Sequence, residues 1–271
     1  MDIFRYFLVL LLLAFSVPAT ASEPIMASGC SISNVGYLND LVKAYEKETG
    51  QKILIRGGGS IVGLTELGAD KVDFAASCKS AGPKDSANLR FIPVAWDGLV
   101  FIVNPANPVS NIIPRDVKGI YEGKIGNWKD LGGANLPIKS YISSVTGMGG
   151  IGETLAKYFL NGKWPQTTVN SSMQASSVAI WEQLVEKTPE GFASTGFDSA
   201  RTRKVKMLAV NGVAPTKATI ISGKYPYKRY LYLVATKDAK PEVNKFIKFA
   251  LSKKGQKLIA SYGIPALAEM K

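Results

Sequence analysis

Lys52-Ile53-Leu54-Ile55, then Gly57-Gly58-Gly59-Ser60, then residues 61–67, then Val72-Asp73-Phe74-Ala75: this stretch decides the fold class. Residues 52–55 read as a short buried strand, the glycines as a tight turn, the apolar spacing of 61–67 as a helix, and 72–75 as a second strand. Strand, glycine-rich turn, helix, strand is an α/β unit. Ser60 falls at the helix start, where free backbone amides can hold an anion. Upstream, Tyr37, Leu38, Leu41, Val42 and Tyr45 recur at helical spacing over 37–48, and Gly50 follows as a stop. Downstream, strands at 91–95 and 99–103 flank Asp97-Gly98, and Asn104-Pro105-Ala106-Asn107-Pro108 marks a crossing. A helix at 115–121, a strand at 138–142, a glycine-rich turn at 147–152 and helices at 153–159 and 178–186 continue the alternation. A strand at 230–236 and one long amphipathic helix at 241–260, opened by Pro241, complete it. Alternating βα units predict parallel-rich sheets, with ligands where strand C-termini meet helix N-termini.

The 271 residues hold 33 Lys+Arg, 21 Asp+Glu, two Cys and no His, a net charge of +12. The missing His excludes a Ser-His-Asp triad, a Cys-His pair and every His-containing zinc site. No metal and no cofactor is expected. Residues 1–21 read as a secretory signal: Arg5 precedes the apolar run 7–17, and Ala19-Thr20-Ala21 is a small-x-small cleavage pattern. Its removal takes away one base, Arg5, and one acid, Asp2, so the exported chain keeps its basic balance. The run 7–17 is too short to span a bilayer. Ala27-Ser28-Gly29-Cys30 resembles a lipoprotein box, but it lies beyond the apolar run with Glu23 and Pro24 between, and lipid anchoring at Cys30 is disfavoured. The basic residues are scattered, which gives nucleic-acid binding little support.

Gly119-Ile120-Tyr121-Glu122-Gly123-Lys124-Ile125-Gly126-Asn127-Trp128-Lys129-Asp130-Leu131-Gly132-Gly133 closely resembles a segment of the phosphate-type periplasmic binding proteins, the solute receptors of ABC importers. Further likenesses follow in that family's order: Val72-Asp73-Phe74-Ala75-Ala76-Ser77, Ala95-Trp96-Asp97-Gly98 running into Val103-Asn104-Pro105, Val185-Glu186-Lys187-Thr188-Pro189, Ser222-Gly223-Lys224-Tyr225-Pro226, and Arg229-Tyr230-Leu231-Tyr232-Leu233-Val234. The resemblance implies the two-lobed type II periplasmic-binding-protein fold: two α/β lobes, each a mostly parallel sheet flanked by helices, joined by two hinge strands. It implies lobe 1 at 22–104 plus 229–271, lobe 2 at 105–228, and a ligand held in the cleft between them. It further implies a monomer exported to the periplasm, not an enzyme, that passes a small anion to an ABC permease. A sensory or accessory protein reporting to a membrane partner is the rival reading.

Carried over by position, the resemblance puts ligand contacts at Ser31 and Ser33, Ser60, Ser77 and Cys78, Asp97, and the turn holding Ser144, Thr146, Gly149 and Gly150. The family's Arg before that last turn is absent. Loss of a bidentate guanidinium removes a contact on the order of 1.5–3 kcal/mol, and favours a bulkier or less charged ligand, or a receptor that has left solute capture. By residue type alone the serines read equally as helix caps and turn formers, Asp97 as a turn residue, and Trp96, Trp128 and Trp181 as core. Lys79 reads as a solvated charge. The resemblance implies that Cys30 and Cys78 lie on neighbouring turns at the cleft mouth. In an oxidising compartment they fit a disulfide worth about 4 kcal/mol in the loop-entropy model. A soft site for a thiophilic ligand, with Met148 nearby, and unpaired packing remain as alternatives.

Overall fold

The computed structural model describes residues 23–143, 149–165, 171–175 and 177–269. The expected signal segment, Ser144, Thr146 and Met148 lie outside these. The chain opens with β1 (Ile25–Gly29), a short helix α1 (Ser31–Ser33), a π-helical stretch (Asn34–Leu38) and α2 (Asn39–Thr49). The predicted helix thus starts six residues earlier than its apolar spacing shows. Gly50, left-handed at φ 74°, ends it as expected. β2 (Ile53–Gly57), α3 (Ser60–Gly68) and β3 (Phe74–Ser77) reproduce the unit read from the opening stretch.

β4 (Leu89–Val103) is one strand where the sequence predicts two. Asp97-Gly98 is not a turn: Asp97 pairs opposite Arg229 and is fully buried, so the strand runs straight through it. β5 (Asn111–Ile112), α4 (Pro114–Tyr121), β6 (Lys139–Ser143), α5 (Gly149–Phe159), β7 (Ser171–Ala175) and α6 (Val178–Lys187) follow. Then come β8 (Gly191–Gly196), α7 (Phe197–Ala200), β9 (Lys206–Met207), β10 (Ala209–Val210), α8 (Lys217–Ile221) and β11 (Lys228–Thr236). The long helix at 241–260 is in fact two, α9 (Pro241–Leu251) and α10 (Lys253–Ser261). Ser252 turns extended between them, and its hydroxyl caps α10 by accepting from the Gly255 amide at 3.1 Å.

Among the described residues, nine strands form one sheet in the order β2-β1-β3-β11-β4-β8-β6-β7, with β9 on β4; β5 and β10 pair separately. The β2-β1-β3 and β7-β6-β8 groups are parallel, and the joints through β11 and β4 are antiparallel. β4 changes partner midway: Leu89 to Gly98 pair with β11, and Leu99 to Val103 with β8. The sheet therefore has two halves that meet along β4, each covered by its own helices.

The segment from Gly119 to Gly133 is architectural. It closes α4, turns at Gly123 (φ 73°), and buries Trp128, whose indole N–H donates to the Glu190 carbonyl at 3.1 Å. The Asn127 side chain accepts from the Lys129 amide and caps the short helical turn that carries the tryptophan. Trp181 is likewise fully buried, while Trp96 is half-buried and stacks on Tyr230 with ring centres 3.8 Å apart.

Candidate functional site

The C-terminal ends of β1 and β3 and the N-termini of α3 and α5 meet at one point, as the sheet topology requires. Cys30, Ser31, Ile32, Gly59, Ser60, Cys78, Ile151 and Val178 line a cavity of about 10 Å³ there, room for a single water-sized guest. Of the expected site residues, Ser31, Ser60 and Cys78 line this floor. Gly150 abuts it: a Cβ at that position would lie 2.4 Å from the Cys78 sulfur and 2.5 Å from the Cys78 carbonyl oxygen. Gly149 packs beside it against Lys79 and Ile61. The start of α5 therefore reaches the floor because its first residues carry no side chain.

Other expected residues stand elsewhere. Ser33 is fully buried and does not line the cavity. Ser77 spends its hydroxyl on its own turn, donating to the Lys79 carbonyl and accepting from the Lys79 amide. Lys79 itself is held by Asp85 at 2.6 Å rather than solvated. Asp97 faces Arg229: its Oδ2 accepts from the guanidinium at 2.7 and 3.2 Å, and its Oδ1 accepts from the Asp198 amide at 3.1 Å. Burial pushes the Asp97 carboxyl above its ordinary range against the pull of Arg229.

Arg229 is the residue that the sequence reading missed. It is nine-tenths buried, donates a further hydrogen bond to the Thr154 hydroxyl at 3.4 Å, and acts electrostatically on both cysteines. The guanidinium absent before α5 thus has a counterpart on β11. A charge inside the apolar pattern of β11 was the available signal, but its partner appears only once β11 is set in register with β4.

The expected disulfide is not formed in the structure. Cys30 and Cys78 are free buried thiols that line the same floor. Ser60 Oγ accepts from the Cys78 amide at 3.0 Å and lies 3.3 Å from the Cys78 sulfur. Cys30 directly follows β1, a strand seated between β2 and β3, so lipoprotein cleavage before Cys30 would remove an interior strand. Among the described residues no three His, Cys, Asp or Glu side chains are grouped to hold a metal ion.

A second buried carboxyl lies behind Asp97. Asp198 is fully enclosed, packs against Gly36 of the π-helical stretch, and neither of its oxygens has a hydrogen-bond partner. Burial, then the neighbouring Asp97, raises its proton affinity well above the ordinary range, while Arg201, Arg229 and Lys217 oppose this. In the unfolded chain the group ionises near pH 4. Its penalty is thus absent below about pH 4 and grows by about 1.4 kcal/mol per pH unit until the folded group ionises. Asp198→Asn is expected to raise the melting temperature at pH 8 and leave it unchanged at pH 4. Equal melting of variant and parent at pH 8 refutes this.

Two sheet halves joined along β4, with helix N-termini meeting over a small floor that carries the Ser31 and Ser60 hydroxyls and the two thiols among apolar side chains, are the build of a solute-binding protein. The chain belongs to the PBP superfamily, whose domain model matches residues 17–254. The phosphate-binding protein PstS of Bacillus subtilis (strain 168) is 27% identical over 255 residues, covering 93% of this chain and 83% of its own. A putative phosphate ABC transporter substrate-binding protein with bound phosphate, from Clostridium perfringens, superposes with a TM-score of 0.80 at 23% identity, over 90% of this chain and 100% of that one. An ABC-type phosphate transport receptor from Vibrio cholerae does so at 0.66 and 25% identity, with the same coverage. The family binds solutes without chemistry, and the chain is not an enzyme.

Proposed function

We propose that the chain is an exported receptor that captures a phosphate-like oxyanion between a lobe at 22–104 plus 229–271 and a lobe at 105–228, and passes it to an ABC importer. The convergence on one floor of the α3 and α5 N-termini, with the Arg229 guanidinium close by, is the observation that carries this reading. Helix N-termini and a buried guanidinium both favour negative charge. Ser31, Ser60 and Gly150 supply short contacts there, and Asp97 fixes the guanidinium. The floor as it stands admits a water-sized guest, so α5 has to stand off from Cys78 for a tetrahedral anion to enter. An adjoining open crevice of about 430 Å³, bounded by Cys78, Trp96, Glu153, Lys157, Lys228 and Arg229, gives the route.

Thermal melts of the exported chain with phosphate, sulfate, molybdate, arsenate and organophosphonates test this. A ligand at about 100 times its Kd stabilises by about 2.7 kcal/mol, or several degrees in a chain of this size. A shift with one oxyanion supports the proposal; no shift with any of them at millimolar concentration overturns it.

A further inference from the structure

We propose that Cys30 and Cys78 are a reversible dithiol–disulfide pair built into the floor of the cleft, with Cys78 the attacking sulfur and Cys30 the resolving one. The pair's oxidation state then decides whether the floor carries a negative charge of its own. The proposal deepens the receptor reading, since the floor it describes is the same one.

Four observations assign the roles. Both cysteines line the same cavity of about 10 Å³ although 48 positions separate them in sequence, so the ends of β1 and β3 hold the two thiols on one floor. Cys78 borders both the floor and the adjoining crevice and is 8% exposed, whereas Cys30 borders the floor alone and is 2% exposed, so an incoming reagent meets Cys78 first. The groups around the Cys78 sulfur are arranged for an anion: the Cys30 thiol and the Ser60 hydroxyl can donate to it, and the Arg229 guanidinium and the start of α5 at Gly150 lie close by. The two thiols are driven apart accordingly. The Cys30 hydrogen bond, Arg229 and Ser60 bring Cys78 down to about 7 against burial and the Asp97 charge. Burial and the neighbouring Cys78 push Cys30 well up. Of the other charges nearby, Lys79 is tied to Asp85, and burial raises Glu153 on α5 above its ordinary range. A cationic metal is disfavoured by the same guanidinium and helix termini.

The co-reactant is an organic disulfide. The Cys78 thiolate attacks one of its sulfurs, forming a mixed disulfide and releasing the other half as a thiolate. Cys30 then loses its proton to that leaving thiolate or to water and attacks the Cys78 sulfur. The internal S–S bond forms, the mixed one breaks, and the second half leaves. Two electrons pass to the reagent, whose halves depart as one thiol, carrying the Cys30 proton, and one thiolate, which is protonated by water; the negative charge leaves with it and the floor becomes uncharged.

Two measurements on the exported chain decide the matter, and neither uses an oxyanion, so failure of the receptor reading is seen separately in the melts above. In the reduced protein, absorbance at 240 nm followed against pH is expected to show one thiolate with a midpoint near 7, lost in Cys78→Ser. A midpoint of about 9 or above, the ordinary thiol range, or an unchanged curve in Cys78→Ser, overturns the proposal. On treatment with oxidised glutathione, the wild-type chain is expected to lose both thiols with no glutathione retained. Cys30→Ser is expected to trap one adduct on Cys78, and Cys78→Ser none. Two free thiols remaining in the wild type, stable adducts on it, or capture by Cys30 in place of Cys78 refutes the assignment.

Discussion

Asp97→Ala is expected to lower the melting temperature by on the order of 10 °C. The carboxylate is fully buried, and the guanidinium it holds through two hydrogen bonds to one oxygen is nine-tenths buried. Removing one partner of such a pair strands the other charge, which costs roughly 3–5 kcal/mol. For a chain of this length each kcal/mol is about 2–4 °C. Arg229→Met is expected to cost as much, because it leaves the buried Asp97 carboxylate without the guanidinium that pairs with its Oδ2. The double variant Asp97→Ala/Arg229→Met is expected to lose much less than the two losses added, since no unpaired charge remains. Denaturant melts of the four proteins give the coupling. Single variants within about 1 kcal/mol of the parent would show that water reaches the pair. A fall in phosphate affinity with unchanged stability would return Asp97 to the ligand-contact role that the resemblance implies.

That pair also shows why part of the site was illegible in the sequence. The opening unit was readable because its three signals are local: an apolar strand, glycines, then helical spacing from Ser60, although Gly59 takes the cap position and the Ser60 hydroxyl is turned to the Cys78 amide instead of the helix. The floor contacts at Ser31, Ser60, Cys78 and Gly150 followed from placing such turns by family position. The Asp97–Arg229 pair could not, because 132 positions separate the partners and Asp-Gly has the local look of a turn. A strand that crosses between sheet halves has no periodic mark at the crossing. β8 was missed because Gly-Phe-Ala-Ser-Thr-Gly is short and rich in small residues, and it is strand because both faces are buried. β1 was not read as a strand; its last residues were noted only as resembling a lipoprotein box, a reading already disfavoured. The long C-terminal helix broke at Ser252, where a hydroxyl able to cap the next helix competes with helix continuation. Asp198 gave no signal: its burial comes from Gly36, a residue remote in sequence, leaving room for it.

Gly150→Ala is the sharpest test of how the cleft closes. The added methyl would lie 2.4 Å from the Cys78 sulfur and 2.5 Å from both the Cys78 carbonyl carbon and its oxygen. Two of those three neighbours are backbone, so a rotamer change cannot relieve the clash, and Cys78→Ala is expected not to rescue it. Cys78 belongs to the sheet half built on β1, β2 and β3, and Gly150 opens a helix on the other half. Separating the halves therefore removes the contact at no cost to either core. The penalty falls on the closed arrangement alone, at about 1–3 kcal/mol for overpacking. Every 1.4 kcal/mol is tenfold in an equilibrium, so phosphate affinity by calorimetry is expected to fall roughly 5- to 150-fold. The melting temperature without ligand should move little. Small-angle scattering is expected to show the wild type contracting on addition of phosphate and the variant staying expanded. If the variant instead melts several degrees lower without ligand, α5 is docked on Cys78 in the resting protein as firmly as in the liganded one. Closure would then not be the step that the glycine serves.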